Sequence, residues 1–257
     1  MIIKYVNAFS TNVYNGNPAV VCIMDEFPEN HIMQNIATIN NVSETSFVKR
    51  VHQNIFIIRW FTPVSESPIC AHATLAAAYV VYKSYSTLRK FNLFFINSNN
   101  VFIANKNYYW IDLIFPKILT RSIPYDSMFD TIFKNHNIIY IGVSKNILFV
   151  ELKNNIEIKR FVPDFYFIAL LPYRALLITS KDDKYDFISR YFAPSVGINE
   201  DPVCGSAHCR LIPYWSKKLN KDKMVAYQMS KRGGVIKCQN LSNRVVISGQ
   251  VVEECYT

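Results

Sequence analysis

Apolar and polar residues alternate along much of this chain, and the alternation predicts strands at Ile2 to Phe9, Ser43 to Val48 and Ile55 to Phe61. Between the first two, Asn15-Gly16-Asn17-Pro18 reads as a turn leading into a buried strand. Pro28 to Asn41 has helical spacing, with Ile32, Ile36 and Ile39 along one side. A second helix is predicted over 71–83. Residues 91–115 alternate through three strands, with polar turns at Ser98-Asn99-Asn100 and Asn105-Lys106-Asn107. Pro116 to Pro124 is the best linker. Beyond it come a strand pair at Ile138 to Leu152 around Ser144-Lys145-Asn146 and a short helix at Asp164 to Leu171. Strands follow at Arg174 to Thr179 and Phe187 to Phe192. A helix at 205–219, which Pro213 should kink, precedes strands from Met224 to the end, with a turn at Ser230 to Gly234.

The two halves repeat. RWFTPVSESPICAHATL begins at Arg59 and RYFAPSVGINEDPVCGSAHC at Arg190. With three extra residues allowed in the second copy, Arg59, Phe61, Pro63, Glu66, Pro68, Cys70 and Ala73 fall on Arg190, Phe192, Pro194, Glu200, Pro202, Cys204 and Ala207. This points to a duplication: an α+β chain of two similar domains, 1–118 and 119–257, with the last strand free to return to the first. In each, a strand runs into a proline-bearing turn, a cysteine and a helix. The residues after each cysteine offer helix-start N–H groups, a ready site for an anion.

The halves differ where chemistry could lie. Glu44 in SETSFV has no acidic twin in RALLIT, Asp201 corresponds to Ser67, and His72 corresponds to Ser206. Asymmetric polar groups on a symmetric scaffold suggest a site between the domains.

Composition narrows the class. The formal charge of +9 permits an anionic substrate, but the lysines are scattered and predict no specific nucleic-acid partner. The six cysteines form no C-x-x-C pair and no metal-ligand cluster, so no metal is expected. The N-terminus reads as a strand and not as a signal peptide. No apolar run is long enough for a membrane span. A soluble, cytoplasmic protein with reduced thiols is the expectation. Cys22, Cys209, Cys238 and Cys255 read as packing residues, and His31, His52 and His136 as surface. His208, on the second helix, is a weaker candidate for the site.

GNPAVV (16–21), NVSETSFV (41–48), FTPVSESPICAHATLAAA (61–78), EDPVCGSAHC (200–209), PYWSKKL (213–219) and QMSKRGG (228–234) resemble the PhzF-like proteins of phenazine biosynthesis, in order and over nearly the whole chain. The resemblance implies the diaminopimelate-epimerase-like fold: two pseudo-symmetric domains, each a curved sheet or barrel around a central helix. It implies a cofactor-independent isomerase that moves a proton on a small anionic metabolite, with a homodimer as its assembly. Glu44 matches the glutamate that moves the proton. His72 and Asp201 match further catalytic positions, and Gly205 and Ser206 match the turn that binds the substrate carboxylate. Asn17, Cys70, Ala71 and Cys204 join the expected substrate-binding set. Ala71 is a departure, since the family usually has glycine there. Cys70 and Cys204 also occupy the positions of the paired thiols of related two-base racemases and epimerases. A two-cysteine racemase is therefore the rival enzyme, and a catalytically silent binding protein the rival from another class.

Overall fold

The computed structural model describes residues 1–98 and 100–254. Asn99, in the Ser98 to Asn100 turn, and Cys255, read as a packing residue, lie outside the described residues. The chain divides into two compact units, Met1–Phe115 together with the segment from Val246, and Pro116–Val245.

The first unit contains β1 (Ile2–Ala8), β2 (Asn17–Met24), α1 (Asn30–Asn40), β3 (Glu44–His52), β4 (Ile55–Phe61), β5 (Glu66–Ser67), α2 (Ala71–Ser84), β6 (Leu93–Asn97), β7 (Asn100–Asn107) and β8 (Trp110–Pro116). Along the order β1-β2-β3-β4-β6-β7 the pairings run antiparallel, parallel, antiparallel, parallel, antiparallel. Alternation sends neighbouring side chains to opposite faces of this sheet. Val20, Cys22, Met24, Phe47 and Phe61 pack with Met33 and Ala37 of α1. On the other face Ser46 Oγ donates to the Ala73 carbonyl of α2 at 3.1 Å. Helix α2 is buried from Ala71 through Ala78. Its five alanines among fourteen residues explain how a helix can be covered on nearly every side while strands approach closely.

The second unit contains β9 (Arg121–Ser122), α3 (Asp130–Phe133), β10 (Ile138–Ser144), β11 (Ile147–Leu152), α4 (Asn155–Arg160), α5 (Phe165–Leu170), β12 (Ala175–Lys181), β13 (Phe187–Phe192), α6 (His208–Leu219), β14 (Lys223–Gln228) and β15 (Gly234–Asn240). The order β10-β11-β12-β13-β14-β15 repeats the alternation of the first unit, from antiparallel through to antiparallel. One face packs Leu148, Val150, Ile178 and Ile188 against residues of α3, α4 and α5. The chain ends in β16 (Arg244–Gly249) and β17 (Val251–Glu253), and β17 pairs antiparallel with β1.

Several local expectations need correction. The buried face of α1 is Met33 and Ala37, whereas Ile32 and Ile39 are exposed. The isoleucine spacing is helical, but of the three isoleucines only Ile36 packs, partly buried, against the Met33 and Ala37 cluster. The second hairpin turn falls at Tyr108-Tyr109, and Asn105 to Asn107 belong to β7, paired with Trp110 to Asp112. Tyr108 adopts a left-handed φ of 54° there, where asparagine or glycine is the usual occupant. His136 is half-buried and packs on the Phe161 ring at 5.2 Å, so it is not simply a surface residue. Helices α3 and α4 are too short to leave a periodic signal; α4 is started by Asn154, whose side chain accepts from Glu157 N–H. Pro213 lies inside α6. It cannot donate to the Cys209 carbonyl one turn back, and the N–H of Ile118 takes that carbonyl at 3.0 Å. Among the described residues no helix is long and apolar enough to cross a membrane.

Candidate active site

The duplicated motif builds the same lock twice. In the first unit Arg59 makes a two-pronged bond to Glu66 (2.7 and 2.6 Å) and lies 5.2 Å over the Phe61 ring. In the second, Arg190 bonds Glu200 (2.7 and 3.0 Å) and lies 4.9 Å over Phe192. A planar guanidinium matches a carboxylate in this way, and an aromatic face covers its other side. Each lock ties a strand to the far end of its proline-bearing turn, just ahead of the cysteine.

In the first unit this turn meets Glu44. Strand β5 pairs with β4, Trp60 opposite Ser67, and Ser67 Oγ donates to Glu44 Oε1 at 2.7 Å. Glu44 begins β3 opposite Ala19 of β2, and only 7% of it is exposed. It shares its sheet face with Ser46, and so with the start of α2. Asn17, two residues before Ala19 and fully buried, lies on that face as well. Gly16 before it has φ 78°, and a Cβ there would stand 2.4 Å from the Ala8 carbonyl oxygen, so the turn into β2 requires glycine.

Cys70 is the residue preceding α2, extended at φ −145°, and its Sγ lies 3.3 Å from His72 Nδ1. Both are buried, as is Ala71. Burial pulls His72 down to a pKa of about 3. It is therefore neutral at physiological pH and works as a hydrogen-bonding group, not as a cation.

In the second unit the turn is clamped from outside. Gln228 accepts from Cys204 N–H at 2.8 Å and donates to the Asp201 carbonyl at 2.7 Å. Ser230 Oγ donates to the Pro202 carbonyl at 2.6 Å and accepts from Gly233 N–H. Asp201 Oδ1 accepts from Val203 N–H at 3.1 Å. Gly205 opens a short 3-10 turn that runs into α6; it is buried, while Ser206 is partly exposed, with its Oγ 3.4 Å from Cys204 Sγ. His208 Nδ1 lies 3.0 Å from the Cys204 carbonyl, so that nitrogen carries the proton. Burial holds His208 at about 4 and pushes the Cys204 thiol well above its ordinary range.

The clamp is not duplicated. In the ladders Ile57 pairs with Ile96 as Ile188 pairs with Tyr227, so the residues that follow, Asn97 and Gln228, correspond. Asn97, one methylene shorter, donates to Ile58 of the adjacent strand at 2.9 Å.

Thus Asn17, Glu44 and the start of α2 with His72 share one side of the first unit's sheet, and Asp201, Cys204, Gly205 and Ser206 share one turn of the second. Sequence reasoning gave no role to Ser67, Gln228 or Ser230. The available signals were the alignment of Ser67 with Asp201, and a lone glutamine at the end of an apolar strand before a glycine turn. A hollow of about 300 Å³ in the first unit, lined by Lys4, Lys83 and Glu253 among others, touches none of these residues. Its Glu253 carboxylate already binds both lysines, which hold it below the usual carboxylate range. Among the described residues no cluster of three His, Cys, Asp or Glu side chains could hold a metal ion.

Comparison with known proteins places this geometry in a class. A probable proline racemase from Agrobacterium radiobacter K84 superposes with a TM-score of 0.67 over 98% of this chain and 90% of its own, at 7% identity, which shows the epimerase-like fold alone. An uncharacterized isomerase of Halalkalibacterium halodurans is 36% identical over 259 residues, covering 97% of this chain and 95% of that protein. The protein is an enzyme of the isomerase class. The family model for phenazine biosynthesis-like proteins matches residues 6–255, and a PhzF family protein of Enterococcus faecalis superposes with a TM-score of 0.92 at 37% identity, over 98% of this chain and 96% of its own. The chain belongs to the phenazine biosynthesis-like protein family.

Proposed function

We propose that the protein is a cofactor-independent isomerase that moves a proton on a small carboxylate-bearing metabolite, with Glu44 as acid and base. The observation that carries the reading is the setting of Glu44. It is a carboxylate removed from water, hydrogen-bonded to the first turn and on the sheet face that meets the helix carrying His72. Such a group can accept a proton from carbon and, after exchange with solvent, deliver one elsewhere on the same substrate. The N–H groups at residues 71–72 and those at residues 205–206 are each suited to a carboxylate, and Asn17 belongs to the substrate-binding set. Neutral His72 and Asp201 orient the substrate. The repeated Arg–Glu locks and the repeated strand order support an origin by duplication, with an epimerase-like domain in each half.

The rival reading uses Cys70 and Cys204 as two bases. The matching places of Cys70 and Cys204, each just ahead of a helix start, favour it; the 3.3 Å approach of His72 to Cys70 does not, since burial keeps that imidazole from taking a thiol proton. The burial of Cys204 opposes it, because desolvation withholds the thiolate that one of the pair must supply. The two mechanisms separate by experiment, once a panel of small carboxylates has been screened for turnover. Under the glutamate mechanism, Cys70→Ser and Cys204→Ser keep most activity. Near-complete loss in either serine variant, with substrate protecting against alkylation, establishes the thiol pair instead.

A further inference from the structure

We infer that Ser67 is a positioning residue for Glu44, setting both the orientation of its carboxylate and the pH at which it gives up its proton. The inference deepens the reading of Glu44 as the acid and base, and rests on it for its functional meaning.

The geometry is a chain of fixed parts. Arg59 grips Glu66 through two bonds, and Glu66 is the first residue of the two-residue strand β5. Ser67, the second, is thereby held opposite Trp60, and its hydroxyl donates to Glu44 Oε1 at 2.7 Å. The ends of this bond lie 23 residues apart in sequence, and it joins two strands on either side of β4 in the ladder. A hydroxyl cannot donate with equal strength to a protonated and an ionised carboxyl. It favours the anion, while burial of Glu44 favours the neutral acid. Ser67 therefore offsets part of the burial cost and keeps the carboxylate available as a base.

The elements beside Glu44 carry the following polar and charged groups. On β2, Ala19 is directly opposite and Asn17 precedes it on the same face, both uncharged. At the start of α2 the titratable groups are Cys70 and His72, and His72 stays neutral. On β4 and β5 the charged groups are Arg59 and Glu66, which neutralise each other. The duplication sharpens the point. The position of Ser67 is taken in the second half by Asp201, whose carboxylate accepts from the N–H of Val203. An aspartate at position 67 would repel Glu44, whereas a serine donates to it.

The test needs no substrate. The full chain is labelled with [δ-13C]glutamate and each side-chain carboxyl is titrated by NMR, with Glu44 assigned by the signal lost in Glu44→Gln. Ser67→Ala is expected to raise the Glu44 midpoint by about one pH unit, the effect of removing one hydroxyl donor from a carboxylate. Ser67→Thr, which keeps the hydroxyl, is expected to stay close to the parent. An unchanged midpoint in Ser67→Ala overturns the inference. An equal rise in Ser67→Thr also overturns it, because the effect then comes from packing and not from the donor. Since the titration is read without turnover, failure here is distinct from failure of Glu44 as the proton shuttle, which is read from the activity of Glu44→Gln.

Discussion

Lowering the pH from 7 to 5 should destabilise this protein through two histidines that neither titrate in the fold nor reach water. His72 is held near 3 and His208 near 4, in each case chiefly by burial. In the unfolded chain both return to about 6.5. Below that value the unfolded state binds protons that the folded state refuses. The stability they contribute is therefore fully present above 6.5 and is lost as the pH falls through the window down to the folded values. Integrating from pH 7 to 5 gives a loss of about 2 kcal/mol for each histidine, about 4 kcal/mol together. That is a large fraction of the roughly 5–15 kcal/mol by which a domain is folded. The assay is urea unfolding at half-unit pH steps, comparing the parent with His208→Asn. The asparagine amide can still donate to the Cys204 carbonyl, as His208 Nδ1 does at 3.0 Å, but it has no proton to gain. The variant should lose about 2 kcal/mol less over the same interval. His136, also lowered by burial, acts in the same direction in both proteins and cancels in the comparison. Parallel pH profiles for parent and variant would refute the argument, because His208 would then titrate normally in the fold.

Two further outcomes follow from contacts on the second turn and behind α2. Gln228→Ala removes the acceptor of the Cys204 N–H and a donor to the Asp201 carbonyl, so stability should fall by about 1–3 kcal/mol. Hydrogen exchange at Cys204 should accelerate well before that at Ala226 in the β14–β15 ladder, and equal acceleration at both would mean the strand itself has been lost. Gly249→Ala places a methyl 2.5 Å from Leu75 Cδ2 and from Phe9 Cδ1. The leucine tip can rotate but the buried phenylalanine cannot easily withdraw, so urea denaturation should show a loss of about 1–3 kcal/mol.

What the sequence showed was whatever lies close along the chain or repeats. The strand Ile55–Phe61 and the helix from Ala71 carry their own periodicity and composition. The pairing of Arg59 with Glu66 and of Arg190 with Glu200 was visible as a repeat, though not as a bond. The contacts that shape the candidate site are non-local. Ser67 reaches Glu44 across 23 positions and Gln228 reaches Cys204 across 24, and no spacing rule announces either. The buried side of α1 was not legible, for a related reason. Ile32, Ile36 and Ile39 form a helical stripe, but the sheet buries Met33 and Ala37 with Ile36 partly covered beside them, and only the partner surface decides which side is covered.

The central claim is that Glu44 carries the proton, and solvent exchange into substrate measures that step directly. In deuterium oxide, with a carboxylate that the parent protein turns over, the account predicts deuterium at the isomerised carbon. It predicts a loss of roughly 10²–10⁴-fold in that incorporation for Glu44→Gln, the contribution of one positioned acid or base, with ligand binding retained. Incorporation at the parent rate in Glu44→Gln would contradict it.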